Sequence, residues 1–340
     1  MATVNRLPAN PTGTIIGRMR VVVVGAGIVG ASVAYHLARL GAAVTLIDRS
    51  PAPASGVTAA SFAWIGDAGG DWPGGAADLR PYVRADHIRL AAEVPGIPLA
   101  WAGSLRWPVN GSDVVGRTEI AELEPLLRVP PQQALWTPTD GAVDPVAMTR
   151  ALVAEAGRRG ARVVRAAVTG WTATGDVQTS AGRYEADAVV LAGGTGTAAL
   201  GVPVGRSPAV LIRATAPPGL VRRIVVTPEF EVRELRPGHL LMTSPLSPGR
   251  AAEAVGTAFG ADVRLRGWAV GVRPMPPDGP LIGPLTPDGR LHVAVMHSAV
   301  TLAPTAGRLL AEELTSGRPA PALANSRPAG TARSGTGRSG

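Results

Sequence analysis

The sequence predicts an α/β protein in which a parallel-sheet domain, discontinuous along the chain, carries a mostly antiparallel β domain. Three observations predict this. Val21-Val22-Val23-Val24 is a β-branched run of the kind buried in a parallel sheet, and it leads directly into Gly25-Ala26-Gly27-Ile28-Val29-Gly30. A second buried run with a glycine tail, Asp187 to Gly194, follows some 140 residues after Asp48. Residues 206 to 247 alternate apolar and polar side chains between turn signals, the pattern of antiparallel strands.

Taken in order, the elements support that class. Ile28 to Leu40 is amphipathic and closes on Gly41, and Val44 to Ile47 makes a second strand ending at Asp48. This βαβ opening is Rossmann-like. Residues 51 to 81 are rich in Gly, Ala, Ser and Pro and read as loop, followed by a helix from Tyr82 to Glu93. Asp144-Pro145 starts a helix running to about Arg159, and Arg162 to Ala166 is a strand. Val168 to Tyr184 reads as a small meander. Pro237-Gly238 turns a hairpin between Glu229 to Leu235 and His239 to Met242. A short helix at Ala251 to Phe259, a strand at Leu291 to Val295 and a helix from Ala303 to Ser316 complete the ordered chain.

Composition removes several classes of function. At 340 residues and 46% apolar content the chain has room for two domains and a sizeable core. Without cysteine there can be no disulfide, thiolate nucleophile, zinc-thiolate site or cysteinyl-linked cofactor. All 33 basic residues are arginines, so no lysine Schiff base can form. The net charge of +8 suggests a nucleic-acid partner until it is located. Residues 1–20 and 317–340 hold seven arginines and no acid, leaving 21–316 close to neutral. No nucleic acid is therefore expected as a partner. The five histidines show no metal-ligand spacing. No apolar run approaches the roughly 18 residues of a membrane span, and Met1 to Arg18 lacks the apolar core of a leader. A cytoplasmic enzyme without a transmembrane segment is expected.

The glycines have distinct physical tasks. Gly25 permits the tight strand-to-helix turn, Gly27 lets backbone approach a pyrophosphate, and Gly30 allows close helix-strand packing. The helix N-terminus then offers free N–H groups and a partial positive charge to the phosphates. Asp48 stands where it can accept hydrogen bonds from adenosine ribose hydroxyls, and its carboxylate would repel the 2′-phosphate of NADP. An NAD dehydrogenase would continue with βα units after Asp48. Here a loop-rich segment intervenes, a layout that suits the longer FAD.

The chain resembles the FAD-dependent D-amino-acid oxidase, glycine oxidase and sarcosine oxidase family. The likeness runs from Arg20 to about Ser316 and is carried by VVVVGAGIVGASVAYHLARLGAAVTLIDR, SGVTAASFAW, DGAVDP, ADAVVLAGGTGT, VGVRPMPPDGPLIGP and HSAVTLAPTAGRLLAEEL. It implies FAD held by Gly25, Gly27, Ile28, Val29 and Gly30, with Asp48 and Arg49 at the ribose end. Ser55, Gly56, Thr58, Ala59 and Ser61 would line the pyrophosphate and ribityl path, and Val168 would meet the adenine through its backbone. Ala192, Gly193 and Gly194 would pass beside the cofactor. The helix start at His297, Ser298, Ala299, Val300, Thr301 and Leu302 would face the flavin pyrimidine.

Arg273 matches the family arginine that pairs with a substrate carboxylate. The resemblance implies oxidation of the C–N bond of a small amino acid or N-alkyl amino acid by hydride transfer to flavin N5, giving an imine that hydrolyses. The alternatives are a flavin dehydrogenase of the same fold acting on a secondary-metabolite or hydroxy-acid intermediate, or a flavin-binding subunit of a larger complex. His239 and Met242 are further candidates for the pocket, with Trp64 as an aromatic wall. Neither cysteine nor a first-loop histidine is present to link the flavin, so FAD is expected to be non-covalent. The lysine that some sarcosine-oxidase relatives place over the flavin to activate oxygen is missing, so a quinone or another carrier stands beside O2 as the expected electron acceptor.

These readings divide the chain. Residues 1–18 form an N-terminal extension, and 19–75, 140–205 and 268–316 an FAD-binding domain. Residues 76–139 and 206–267 form a substrate domain, and 317–340 a disordered basic tail.

Overall fold

Arg20–Val24 lies near the centre of a six-stranded sheet in the computed structural model, which describes residues 18–66, 72–109, 113–172 and 175–328. The order is Leu281–Pro284, Leu291–Val295, Ala188–Leu191, Arg20–Val24, Ala43–Asp48 and Arg162–Arg165, parallel except at the first strand. The unbroken valine run is explained by cover on both faces. Val21 and Val23 pack under helices, while Val22 and Val24 pack against Val177 and Tyr184 of the three-stranded meander.

Among the described residues six α-helices follow in chain order: α1 (Ile28–Arg39), α2 (Ala76–Glu93), α3 (Arg117–Leu123), α4 (Pro145–Arg158), α5 (Pro248–Phe259) and α6 (Ala299–Ser316). α1 is sandwiched by α4 and α6. A Cβ at Gly307 would stand 2.3 Å from the Ser32 hydroxyl, which shows how closely α6 approaches α1. That hydroxyl donates to the Ala303 carbonyl at 2.7 Å. At α4, Asp144 caps the helix by accepting from the N–H groups of Val146 and Ala147.

α2 begins nearly two turns and α6 about one turn earlier than their sequence suggests. Both carry proline at the sixth helical position, Pro81 and Pro304, where a breaker was expected to mark the boundary. Packing of α2 against α6 offsets the lost backbone bond. Buried His87 of α2 also hydrogen-bonds the Thr301 carbonyl at 3.0 Å, which ties the two helices together.

A second sheet of eight strands runs Arg264–Met275, Gly205–Thr215, His239–Thr243, Glu231–Arg236, Ile224–Val226, Ser104–Arg106, Gln133–Thr137 and Val114–Gly116. Only the Ile224–Val226 pairing with Ser104–Arg106 is parallel. Leu105, Ile212, Val225, Val232, Leu240 and Met242 form one core with Phe259 of α5. By the two-residue period of a strand, Arg106, Arg213, Glu231, Arg233 and Thr243 face the other way. A small sheet of Trp64–Ile65, Gly141–Val143 and Leu99–Ala100 meets that face. Arg233 donates there to the carbonyls of Phe62 and Val143, and Arg213 to that of Ala59.

The expected disordered tail needs correction over its first part. Residues 317–328 are placed, with a short helical turn at Pro321–Ser326, Leu323 fully buried and Arg327 donating to Glu313 at 2.9 Å. One leucine and one ion pair anchor a segment whose composition is that of a linker. Arg20 pairs with Asp187 at 2.7 Å. Two of the seven terminal arginines thus belong to the folded body; residues 1–17 and 329–340 lie outside the described residues.

Burial has a consequence for pH. It holds the imidazoles of His36, His87 and His292 down at about 3, 4 and 4, against an ordinary 6.5. Between pH 6.5 and 4 the unfolded chain binds these protons and the folded chain does not, so stability falls as pH falls through that window. Buried Glu124, pushed up to about 7, acts in the opposite direction, one group against three. The Tm is therefore expected to drop steadily from pH 6.5 to 4, and replacing His36 by leucine should flatten part of the slope. A Tm unchanged over that range would contradict this.

Candidate functional site

The glycine turn, Asp48 and the glycine tail of Ala188–Leu191 meet at one end of the parallel sheet. The Gly25 N–H donates to the Ile47 carbonyl and the Ala192 N–H to the Val24 carbonyl, both at 2.8 Å. Gly25 has φ +109°, and a Cβ there would lie 2.6 Å from the Ala192 carbonyl oxygen. A Cβ on Gly30 would overlap the Gly25 carbonyl oxygen at 1.8 Å. The chain's own packing requires both glycines. It does not require Gly27, whose Cβ would meet nothing closer than the Thr58 hydroxyl at 3.4 Å. That free space lies beside the start of α1, where the N-cap residue Gly27 offers no side chain and Val29 follows Ile28, and it is what an approaching pyrophosphate needs.

Asp48 ties the turn to the next loop. Its carboxylate accepts from the Ala26 N–H at 2.6 Å and the Ser50 N–H at 2.7 Å, leaving lone pairs for ribose hydroxyls. Arg49 beside it is exposed. The Ala166 N–H donates to the Asp48 carbonyl at 2.9 Å, which brings Val168 to the same end of the sheet. Ser55 and Gly56 are exposed, and the Ser55 hydroxyl is spent on the Ala52 carbonyl. Thr58 accepts from the Ile28 N–H at 3.2 Å. Gly194 takes φ +57°, and a Cβ there would meet open space, with Gly193 beside it.

From this end a cavity of about 1200 Å³ extends between the two large sheets. Its walls include Ile28, Thr58, Ser61 and Trp64, the segment His297–Leu302, and Arg273. Gly271 lets the turn Val57–Ala60, which includes Ala59, press against the strand bearing Arg273, since a Cβ there would lie 2.9 Å from that of Ala60. α6 opens on Ser298, a left-handed residue at φ +54°, and lacks a side-chain cap. Its first-turn N–H groups are therefore free of side-chain partners at the cavity wall. Ala63, also lining the cavity, shares this conformation at φ +57°. Such strained residues concentrate at functional sites.

Arg273 donates through Nη2 to the Ser207 hydroxyl at 2.8 Å and has no carboxylate partner among the described residues. Burial, with the nearby Arg273 charge, holds His297 below the usual imidazole range. Trp64 lines the cavity, and its carbonyl accepts the Thr301 hydroxyl at 3.0 Å.

Two expected pocket residues lie elsewhere. Met242 is fully buried in the core with Ile212 and Val232, on the far face of its sheet. His239 is exposed at the hairpin end of the strand and does not line the cavity. Thr243, one residue past Met242, faces the cavity together with Glu231 and Arg106. Alternation around Val232 was the signal for Glu231; Arg106 gave none, because its partner strands are distant in sequence.

A dinucleotide end, an open helix N-terminus and a carboxylate-ready arginine on one cavity define a nucleotide-cofactor oxidoreductase. Residues 20–313 match the family model for FAD dependent oxidoreductases, DAO, and the chain belongs to that family. Its cofactor is accordingly FAD. The chain is similar to a D-amino acid dehydrogenase of Bradyrhizobium diazoefficiens, at 25% identity over 88% of this chain and 96% of that one. It shares its fold with a glycine oxidase of Bacillus cereus, with a TM-score of 0.77 and 20% identity over 88% of this chain and 96% of that one. An L-proline dehydrogenase of P. horikoshii gives a TM-score of 0.78 and 20% identity over 90% and 96%. Among the described residues no helix is long and apolar enough to cross a membrane, and no metal-binding cluster is present.

Proposed function

We propose that this chain oxidises the C–N bond of a small amino acid or N-alkyl amino acid, with FAD held non-covalently. The observation that carries the reading is Arg273, a guanidinium without a carboxylate partner in the cavity that also receives the start of α6. Gly25 to Gly30 and the start of α1 would hold the pyrophosphate, and Asp48 and Val168 the adenosine end. Thr58 and Ser61 would follow the ribityl chain, with Ala192 to Gly194 alongside. FAD, when bound, supplies the hydride acceptor.

The remaining steps fall to the chain's own groups. Arg273 offers parallel N–H donors that grip a substrate carboxylate bidentately and fix the neighbouring carbon. The N–H groups at His297–Leu302 favour negative charge at the α6 terminus by about 0.3–1 kcal/mol, and up to ~2 when partly buried. Burial, with the nearby Arg273 charge, disfavours the charged form of His297, so the backbone N–H groups rather than the imidazole carry this role. Walls such as Trp64 exclude water until the imine leaves and hydrolyses. The substrate amine must be neutral at the moment of oxidation, so activity should rise with pH as amine deprotonation proceeds.

The test is anaerobic. Purified protein mixed with a panel of amino and N-alkyl amino acids should lose its flavin absorbance, and the admission of air then reports whether O2 or another carrier is the acceptor. Protein that takes up no FAD, or flavin that no member of the panel bleaches, overturns the reading.

A further inference from the structure

Arg106 presents a second guanidinium to the cavity that holds Arg273. It ends the strand Ser104–Arg106, whose Leu105 is buried in the core on the other face, so the strand's period turns Arg106 to the cavity side. The guanidinium carbon lies over the Trp64 ring, 5.2 Å from its centroid. This cation–π contact holds the charge at the wall without supplying a hydrogen-bond acceptor, so N–H donors remain for a ligand. Neighbouring arginines are each tied to backbone: Arg233 to Phe62 and Val143, Arg213 to Ala59, Arg223 to Ala102. Arg106 has neither a carboxylate nor a carbonyl partner among the described residues.

The strand register adds a second observation. Thr243, Glu231, Val226 and Arg106 stand opposite one another in a single row across four strands. Strand spacing puts the backbones of Glu231 and Arg106 about 10 Å apart, with Val226 between them. Glu231 accepts from the Thr243 hydroxyl at 2.9 Å and forms no ion pair with Arg106. The cavity wall therefore carries two guanidiniums and one carboxylate, all three available to a ligand. A monocarboxylate amino acid would use Arg273 and, through its amine, Glu231. That would leave Arg106 covered and without a counter-charge, an arrangement that is costly once water is excluded.

We propose that Arg106 is a second carboxylate anchor and that the preferred substrate is an amino acid bearing two carboxylates. The second carboxylate is either at the end of its side chain or on its N-alkyl group. The inference rests on the C–N oxidation reading and on Arg273 as the first anchor.

The experiment uses the FAD-loaded enzyme and three probe types: acidic amino acids, N-carboxyalkyl amino acids, and the carboxamide counterpart of each. The wild type should favour one class of diacid over its carboxamide by about tenfold or more in kcat/KM, and which class wins locates the second carboxylate. R106Q should raise KM for that diacid by roughly 10- to 100-fold, leave the carboxamide within about twofold, and retain the flavin spectrum. As a readout apart from turnover, an amine-free dicarboxylate such as glutarate should perturb the flavin absorbance of the wild type at lower concentration than that of R106Q.

Equal losses on diacid and carboxamide, or a wild-type preference for the carboxamide, would overturn the proposal. The two levels of inference fail differently. If amino acids bleach the flavin without a diacid preference, only the Arg106 assignment falls. If nothing bleaches it while glutarate still binds through Arg106, C–N oxidation falls and the anion site stands.

Discussion

Gly27→Ala is expected to leave the chain folded and to weaken its hold on FAD, whereas Gly30→Ala should cost the fold itself. The two positions are three residues apart in one motif, but their surroundings are opposite. A Cβ at 30 would stand 1.8 Å from the Gly25 carbonyl oxygen, a backbone atom that no side-chain rotation can move. Overpacking costs about 1–3 kcal/mol where side chains can yield, and this contact should sit at or above the top of that range. At 27 the nearest atom is 3.4 Å away, so apoprotein Tm should change little. The methyl group would instead fill the space beside the α1 N-terminus where phosphate must approach, weakening FAD by about 10-fold or more, on the order of 1.4 kcal/mol. Thermal melts of the apoproteins and FAD titrations separate the two. Wild-type FAD affinity in Gly27→Ala would show that the pyrophosphate lies elsewhere.

Arg273→Gln should keep FAD and lose the substrate. Arg273 bonds only Ser207 among the described residues, so its removal spares the dinucleotide end. Truncating one member of a buried, hydrogen-bonded charge pair costs about 2–5 kcal/mol, which corresponds to roughly 30- to 5,000-fold in kcat/KM. Arg273→Lys should recover only part of this, because an ammonium keeps the charge without the fork. The measurement is the rate of anaerobic flavin bleaching against substrate concentration. An unchanged rate in Arg273→Gln would remove the carboxylate anchor from the mechanism.

Much of the cofactor end was legible because its physics is local. Gly25, Gly30 and Asp48 are dictated by a strand, a turn and a helix that adjoin in sequence, and the doubly covered valine run announces its burial by being unbroken. The helix starts were less legible. Pro81 and Pro304 break the local rule, and both helices run through them because the packing of α2 against α6 outweighs one missing donor in each. Composition alone could not show that Leu323 and Arg327 pin residues 317–328 to the body.

The substrate wall separates the two kinds of information most clearly. His239 and Met242 were expected to line it, but a strand offers alternate residues to alternate faces, and the core claimed Met242 while leaving Thr243 to the cavity. What the sequence determined by itself was the class of protein: a parallel-sheet dinucleotide binder with an arginine suited to a carboxylate. Only the tertiary structure decided that Glu231, Val226 and Arg106, 125 residues apart at the extremes, share one row facing that arginine's cavity. The physical reason is that strand pairing is non-local. Register between distant segments is chosen by which faces can be buried together, and no window of sequence contains both partners.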